Sequence, residues 1–205
     1  MTAWAQSAAG WAVDRYEPTP AGDVFFASPF PWYGAPGQSF ALRGGLTFDY
    51  ARNPVVATDA SGNSDRAIPI IANMAVLHAQ FGVAFARRVG VHLSLPVGLF
   101  QDGQRSVGGL ASASAPGLGD PRLGVRVRVH GEADRAPVSL HVGADLYVNA
   151  GLFGFTRASN LTDEGFRGRM HFTLAGRGGP VRWSFGGGLH FRSEEHTSEL
   201  QSPCN

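Results

Sequence analysis

The chain has 205 residues, 43% hydrophobic and only 16% charged, with 28 glycines and a formal net charge of +1. That length suits one domain or a single barrel, the composition excludes disorder, and the near-neutral balance argues against a nucleic-acid partner. The basic residues are all arginine, the sole cysteine is Cys204, and no run of about 18 apolar residues exists, which excludes a disulfide scaffold and a transmembrane helix and argues against a thiol-metal site.

The first ten residues, MTAWAQSAAG, place Ala3-Trp4-Ala5 before Gln6 in the small-x-small form of a signal-peptidase site, without the basic and apolar regions that precede such a site. Residues 1–37 are therefore read as an N-terminal segment carrying a remnant cleavage site, with a mature start near Gln6. Its carboxylates Asp14, Glu17 and Asp23 are candidates to plug a polar lumen.

Seven alternating segments follow. The first sets Phe40, Leu42, Leu46, Phe48 and Tyr50 against Arg43, Thr47 and Asp49; the second sets Ile71, Leu77, Phe81, Val83 and Phe85 against His78 and Gln80. The third opposes Val91, Leu93, Leu95, Val97 and Leu99 to His92 and Ser94, and the fourth opposes Leu123, Val125, Val127 and Val129 to Arg122, Gly124, Arg126 and Arg128. In the fifth, Val138, Leu140, Val142, Leu146 and Val148 face away from Ser139, His141, Asp145 and Tyr147. The sixth separates Phe166, Met170, Phe172 and Leu174 from Arg167, Arg169, His171 and Thr173, and the seventh separates Val181, Trp183, Phe185, Leu189 and Phe191 from Arg182, Ser184 and His190. Segments of about ten residues suit tilted strands crossing a bilayer, and exceed the usual ~5–6 of soluble strands. From about Ser193 the composition changes abruptly, and residues 193–205 resemble translated sequencing-adapter read-through; they are set aside as a non-native tail.

Short links at 86–90, 130–136 and 178–180 alternate with long Gly-, Ser-, Asn- and Asp-rich links at 53–66, 102–119 and 149–164. Outer-membrane barrels show this rhythm of short periplasmic turns and longer external loops. No segment reads as an amphipathic helix able to cover an apolar sheet face. Residues 38–192 are accordingly expected to form an all-β, antiparallel, up-and-down transmembrane β-barrel, truncated, with about seven strands present and at least one missing because single-chain barrels have even counts. A soluble periplasmic β-sandwich with a binding role is the alternative.

In the barrel reading, Leu42, Leu46, Phe48, Leu93, Leu95, Val125, Val127, Leu140, Val142, Phe172 and Phe185 face lipid. Arg43, Arg122, Arg126, Arg128, Arg167, Arg169, Arg177 and Arg182 face the lumen, against only Asp49 and Asp145. The resulting positive excess predicts an anion-attracting wall unless the N-terminal carboxylates compensate it. Aromatic residues near segment ends, Tyr50, Phe85, Phe100, Tyr147, Phe166 and Trp183, suit interfacial girdles.

The stretches WAVDRYEPTPAGDVFFASPFPW, LRGGLTFDYARNPVV, LPVGLFQDG and GLGDPRLGVRVR together resemble the N-terminal barrel region of OmpA-family outer-membrane proteins from myxobacteria-like, high-GC Gram-negative bacteria, over roughly residues 11 to 191. The resemblance implies a cell outer membrane location, contact with outer-membrane lipid and lipopolysaccharide, and often a periplasmic peptidoglycan-binding domain, which these residues do not contain.

Chemistry is sparse. His78, His92, His141, His171 and His190 all take the polar phase but sit on five separate strands, which suits lumen filling better than metal ligation. Ser94 or Ser139 with a histidine and Asp145 would be the residues of a hydrolase, but no G-x-S-x-G motif supplies a nucleophile. Gly186-Gly187-Gly188 lacks the lysine of a phosphate loop and is read as a strand bend. Asn160-Leu161-Thr162 matches a glycosylation sequon by coincidence. The expected function is that of a structural or passively porin-like outer-membrane barrel, without catalytic, cofactor or metal residues. Movement of a small hydrophobic or anionic solute is the alternative within the same fold.

Overall fold

The computed structural model describes residues 16–23, 25, 29–57, 68–103, 116–150, 161–162 and 166–192. The remnant cleavage site, Asp14, the sequon's Asn160 and the 193–205 tail lie outside them. Within them the chain is all-β: β1 (Phe40–Ala57), β2 (Ile68–Phe85), β3 (Val89–Asp102), the two-residue β4 (Gly117–Leu118), β5 (Arg122–His130), β6 (Ser139–Tyr147), β7 (Arg167–Gly178) and β8 (Val181–Arg192). They form one curled antiparallel sheet in the order β1-β2-β3-β5-β6-β7-β8, with β4 paired to β3. The seven long strands are the seven alternating segments. A sandwich would need a second sheet packed on the first, and the described residues form only one.

Among the described residues β1 and β8 are the edges of the sheet and do not pair with each other. Seven successive antiparallel strands leave β1 and β8 running in the same direction, so an antiparallel closure requires a further long strand between them.

The alternation fails where the ladder does. Asn53 adopts a left-handed φ of 51° and the β1–β2 register shifts between Arg52 and Val55, so β1 passes through a bulge at Asn53-Pro54 and continues to Ala57 instead of ending where the sequence places a link. Proline is tolerated there because β1 is an edge and a bulge needs no ladder donor. A second shift, across Ala75/Val76 against β3, disturbs the neighbouring half of β2. Ile71, expected on the outward phase, is buried there with Met74, Ala75 and Val76. Pro96 occupies the point at which β3 changes partner, from Ser94 opposite Arg122 to Val97 opposite Leu118.

The short turns differ in quality. The β7–β8 hairpin turns at Gly179, which takes a φ of 59° without steric cost. The β2–β3 turn places Ala86 and Arg87 at φ 47° and 56°, closed by the Arg88 N–H donating to the Phe85 carbonyl at 2.9 Å. Left-handed φ at consecutive positions favours Gly, which lacks the Cβ that costs about 1 kcal/mol there, or Asn, whose short polar side chain offsets that cost by bonding the local backbone. Ala86→Asn is therefore expected to stabilise the fold by about 0.5–1 kcal/mol, read as a raised denaturation midpoint; an unchanged or lowered midpoint contradicts this account of the turn.

Candidate functional site

The concave face of the sheet is polar, and the described residues 16–23, 25 and 29–33 lie along it, the first near the long-link end and the last at the short-turn end. The described part of this segment acts as a strap. Near its start the Tyr147 hydroxyl and Arg169 Nη1 both donate to Glu17, and Arg122 Nη2 donates to the Pro18 carbonyl at 2.6 Å. Pro20-Ala21-Gly22-Asp23 then forms a turn, with Gly22 at φ 97° and the Asp23 N–H donating to the Pro20 carbonyl at 3.1 Å. That turn delivers Asp23 to the middle of the sheet, where Arg126 Nη1 and Nη2 donate to its two oxygens at 2.7 and 2.9 Å. The Trp32 N–H adds a third bond to Asp23 at 3.3 Å.

At the short-turn end, Phe30 packs on Ala133 and Ala175, and Tyr33 packs on Ala41 and Ala84. Arg43 lies over the Trp32 ring at 4.7 Å. A second turn, Ala35-Pro36-Gly37-Gln38, with Gly37 at φ 85°, then leads the chain into β1. Both turns carry a Gly where a positive φ falls, and the second a Pro just before it, as a type II turn needs.

The predicted lumen arginines do point inward along the body of the sheet, but they are not a free positive wall. Arg122 and Arg169 meet Glu17, Arg126 meets Asp23, Arg128 meets Glu132, Arg167 meets Asp120 and Arg169 also meets Asp145. Arg177 and Arg182 stand at the short-turn rim instead, Arg177 donating to the Gly179 carbonyl and Arg182 lying 3.3 Å from Asp134. Glu17 and Asp23 of the strap compensate the positive excess as the sequence allowed, and Asp120 and Glu132 of the links, which the expectation did not include, add to them. Tyr147 is also corrected: it is buried inward on Glu17 and Arg167, and takes no part in an outer girdle.

Asp145 collects several cations and rings. His92 Nε2 lies 2.9 Å from one oxygen, while Arg169 and His171 approach the other. His92 and Asp145 reach each other across β5 because Gly124 is the register partner of both, and a Cβ at Gly124 would collide with both. The glycine in the arginine row is thus the gap through which two neighbouring strands pair.

Ser139 commits its hydroxyl to the backbone of β7. Its hydroxyl donates to the Ala175 carbonyl at 2.7 Å, so the His141 Nε2 at 2.9 Å must be the donor to Ser139, and the Tyr33 hydroxyl at 3.2 Å donates to His141 Nδ1. This chain of donation runs from Tyr33 through His141 into the Ser139 oxygen and on to the Ala175 carbonyl, and the serine is 0% exposed. Asp145 belongs to His92 and not to this chain. His78 meets Tyr16 edge-on, and His190 meets Tyr147 edge-on. Among the described residues no His, Cys, Asp and Glu group has metal-holding geometry. Between the strap and β6–β8 is a cavity of about 340 Å³, bordered by Glu17, Arg122, Arg169, His171 and His190.

All eleven expected outward residues lie on the convex face or at an edge, with Leu46 at 72% and Phe185 at 61% exposure. Phe40 meets Phe85 at one end of this face and Tyr50 meets Phe100 at the other. No family model, curated protein or solved structure matches the chain.

Two expectations test the strap. Asp23 and Arg126 side chains are 0% and 5% exposed, so Asp23→Leu strands a buried guanidinium and should cost about 3–5 kcal/mol, whereas adding Arg126→Met should recover most of that loss in a double-mutant cycle. Additive losses instead would mean that the pair does not seat the strap. Burial also pushes the Tyr33 hydroxyl up to about 12. Its folded pKa exceeds the ordinary 10, so its contribution is complete below pH 10 and is lost as pH rises from 10 towards 12. Tyr33→Phe should flatten that part of the stability profile, measured by denaturant unfolding; an unchanged profile contradicts the assignment.

Proposed function

We propose that this protein is an outer-membrane β-barrel component with a structural role, its strands set in lipid and its lumen occupied by its own N-terminal strap. One observation carries the reading: the usual distribution of a water-soluble protein is inverted. Arg122, Arg126, His92, His141, Asp145 and Ser139 are buried, while Leu42, Leu46, Phe48, Phe81, Met170, Phe185 and Leu189 are exposed. A water-soluble protein rarely exposes a contiguous apolar face of this extent, and a bilayer is the solvent that suits it. The alternation of short and long links supports the same reading and would put the short turns at the periplasmic side.

The strap favours a structural over a conducting role, because its carboxylates neutralise the arginines that would otherwise select anions, and its backbone and rings take up the interior. The resemblance to OmpA-family barrel regions agrees with this reading and adds lipid and lipopolysaccharide as neighbours, with peptidoglycan reached through a separate domain. Val125 is on the outward face near the middle of β5, so Val125→Arg should weaken insertion from denaturant into lipid vesicles by about 2–4 kcal/mol. The unsubstituted chain should aggregate without lipid and gain protease-resistant strands with it. A monomeric, soluble species in lipid-free buffer, or equal insertion of the variant, would overturn the proposal.

A further inference from the structure

The two ends of the sheet differ in charge. The short-turn end carries Arg87 and Arg88 in the β2–β3 turn, Arg128 at the end of β5, Arg135 in the next link, and Arg177 and Arg182 around the last hairpin. Among the described residues only Glu132 and Asp134 oppose them there. Glu132 is already shared: Arg87 Nη2 lies 2.7 Å from it, Arg128 Nη1 2.9 Å and Arg135 Nε 3.7 Å. Although burial pushes the Glu132 carboxyl up, the Arg128 hydrogen bond and the charges of Arg87 and Arg128 outweigh it and hold the group below its ordinary value. Asp134 is engaged by Arg182. Positive charge is therefore left over, and among the described residues no carboxylate engages Arg88 or Arg177.

This excess borders a recess of about 390 Å³ walled by Arg88, Arg128, Val129, His130, Arg135 and the shared Glu132. Arg135 keeps 58% of its side chain exposed, so its guanidinium is free to meet a second anion besides Glu132. Val129 belongs to the outward apolar row of β5, and Phe85, Val138 and Val181 stand exposed at the same end of the sheet. The recess thus joins a cationic floor to the foot of the apolar face. An amphiphile with an anionic head and an acyl tail matches both halves; a free anion matches only the floor.

We propose that the short-turn rim is a headgroup site for anionic glycerophospholipids, with the phosphodiester held by Arg88, Arg128 and Arg135 and an acyl chain lying along Val129. The proposal rests on the membrane reading above and adds a lipid preference to it. Arginine suits the task because its planar fork meets two phosphate oxygens at once. The site would hold the rim at the headgroup level of one leaflet, fixing the depth of the sheet in the bilayer.

The test compares insertion of the full chain into vesicles of phosphatidylcholine with vesicles containing one-third phosphatidylglycerol, followed through the intrinsic fluorescence of its four tryptophans. At about fivefold per rim arginine, the anionic lipid should raise the partition coefficient at least tenfold, and less so in high salt. Arg88→Gln with Arg135→Gln should remove most of that increment while leaving insertion into pure phosphatidylcholine unchanged, which also reports that the variant folds. Equal partition of the unsubstituted chain into both vesicles overturns the headgroup site and leaves the membrane reading standing. The same holds if the double variant keeps the increment, or if soluble glycerophosphate abolishes it. Failure to enter either vesicle overturns both.

Discussion

The fork between Arg126 and Asp23 is the contact on which the interior of this protein depends. Arg126 sits on β5, near the centre of the seven long strands, where a guanidinium has neither water nor a cross-strand carboxylate to meet it. Removing such a charge from solvent costs several kcal/mol unless an anion of matching shape is present. Among the described residues the strap supplies that anion, through a glycine turn that aims Asp23 at the sheet. Once that pair forms, Glu17 falls among Tyr147, Arg122 and Arg169, Tyr33 stacks on His141 at a centroid distance of 5.4 Å, and Trp32 lies over Arg43. The strap contacts most strands of the sheet, so it ties together elements that otherwise touch only their neighbours.

The interior is built from hydrogen bonds and ion pairs instead of apolar packing. The main ion pairs are made by geometry that crosses strands, and small residues make this geometry available. Gly124 lets His92 and Asp145 meet over its own strand, and Gly143 leaves space for His171 beside Arg126. The same one-sidedness leaves the opposite face predominantly apolar. A sheet whose polar side is paired with the strap and whose apolar side, among the described residues, has no helix or second sheet against it suits an apolar solvent, which links the strap to the proposed membrane setting.

The edges set a different constraint. β1 and β8 run in the same direction and each keeps one side of its backbone outside the ladder, a condition that invites pairing with any strand of opposite direction. The bulge at Asn53-Pro54 interrupts the β1 edge, while β8 keeps an unbroken register with β7 through its glycine run. Gly187 lies against the Phe172 ring, with only 3.0 Å available to a Cβ. The run read from sequence as a bend is therefore also a close approach between β8 and β7.

The period of two along the chain was enough to determine the seven long strands, the polarity of each face and the alternation of turns and long links, because strand geometry sends successive side chains to opposite sides whatever their partners. The same pattern carried no information on pairing between distant residues. Which carboxylate meets Arg126, why Tyr147 turns inward on Glu17, and why the serine on β6 is a donor to a carbonyl all depend on contacts between residues far apart in the chain, including 103 positions from Asp23 to Arg126 and 130 from Glu17 to Tyr147. The breaks in alternation near Asn53 and Ala75 likewise required the register, since a bulge is a mismatch between two strands and is not a property of either one. Charge could be counted from the sequence, but whether the arginines formed an open wall or a neutralised interior was decided only when the strap folded into the curl, because electrostatics depends on distance and burial and not on composition.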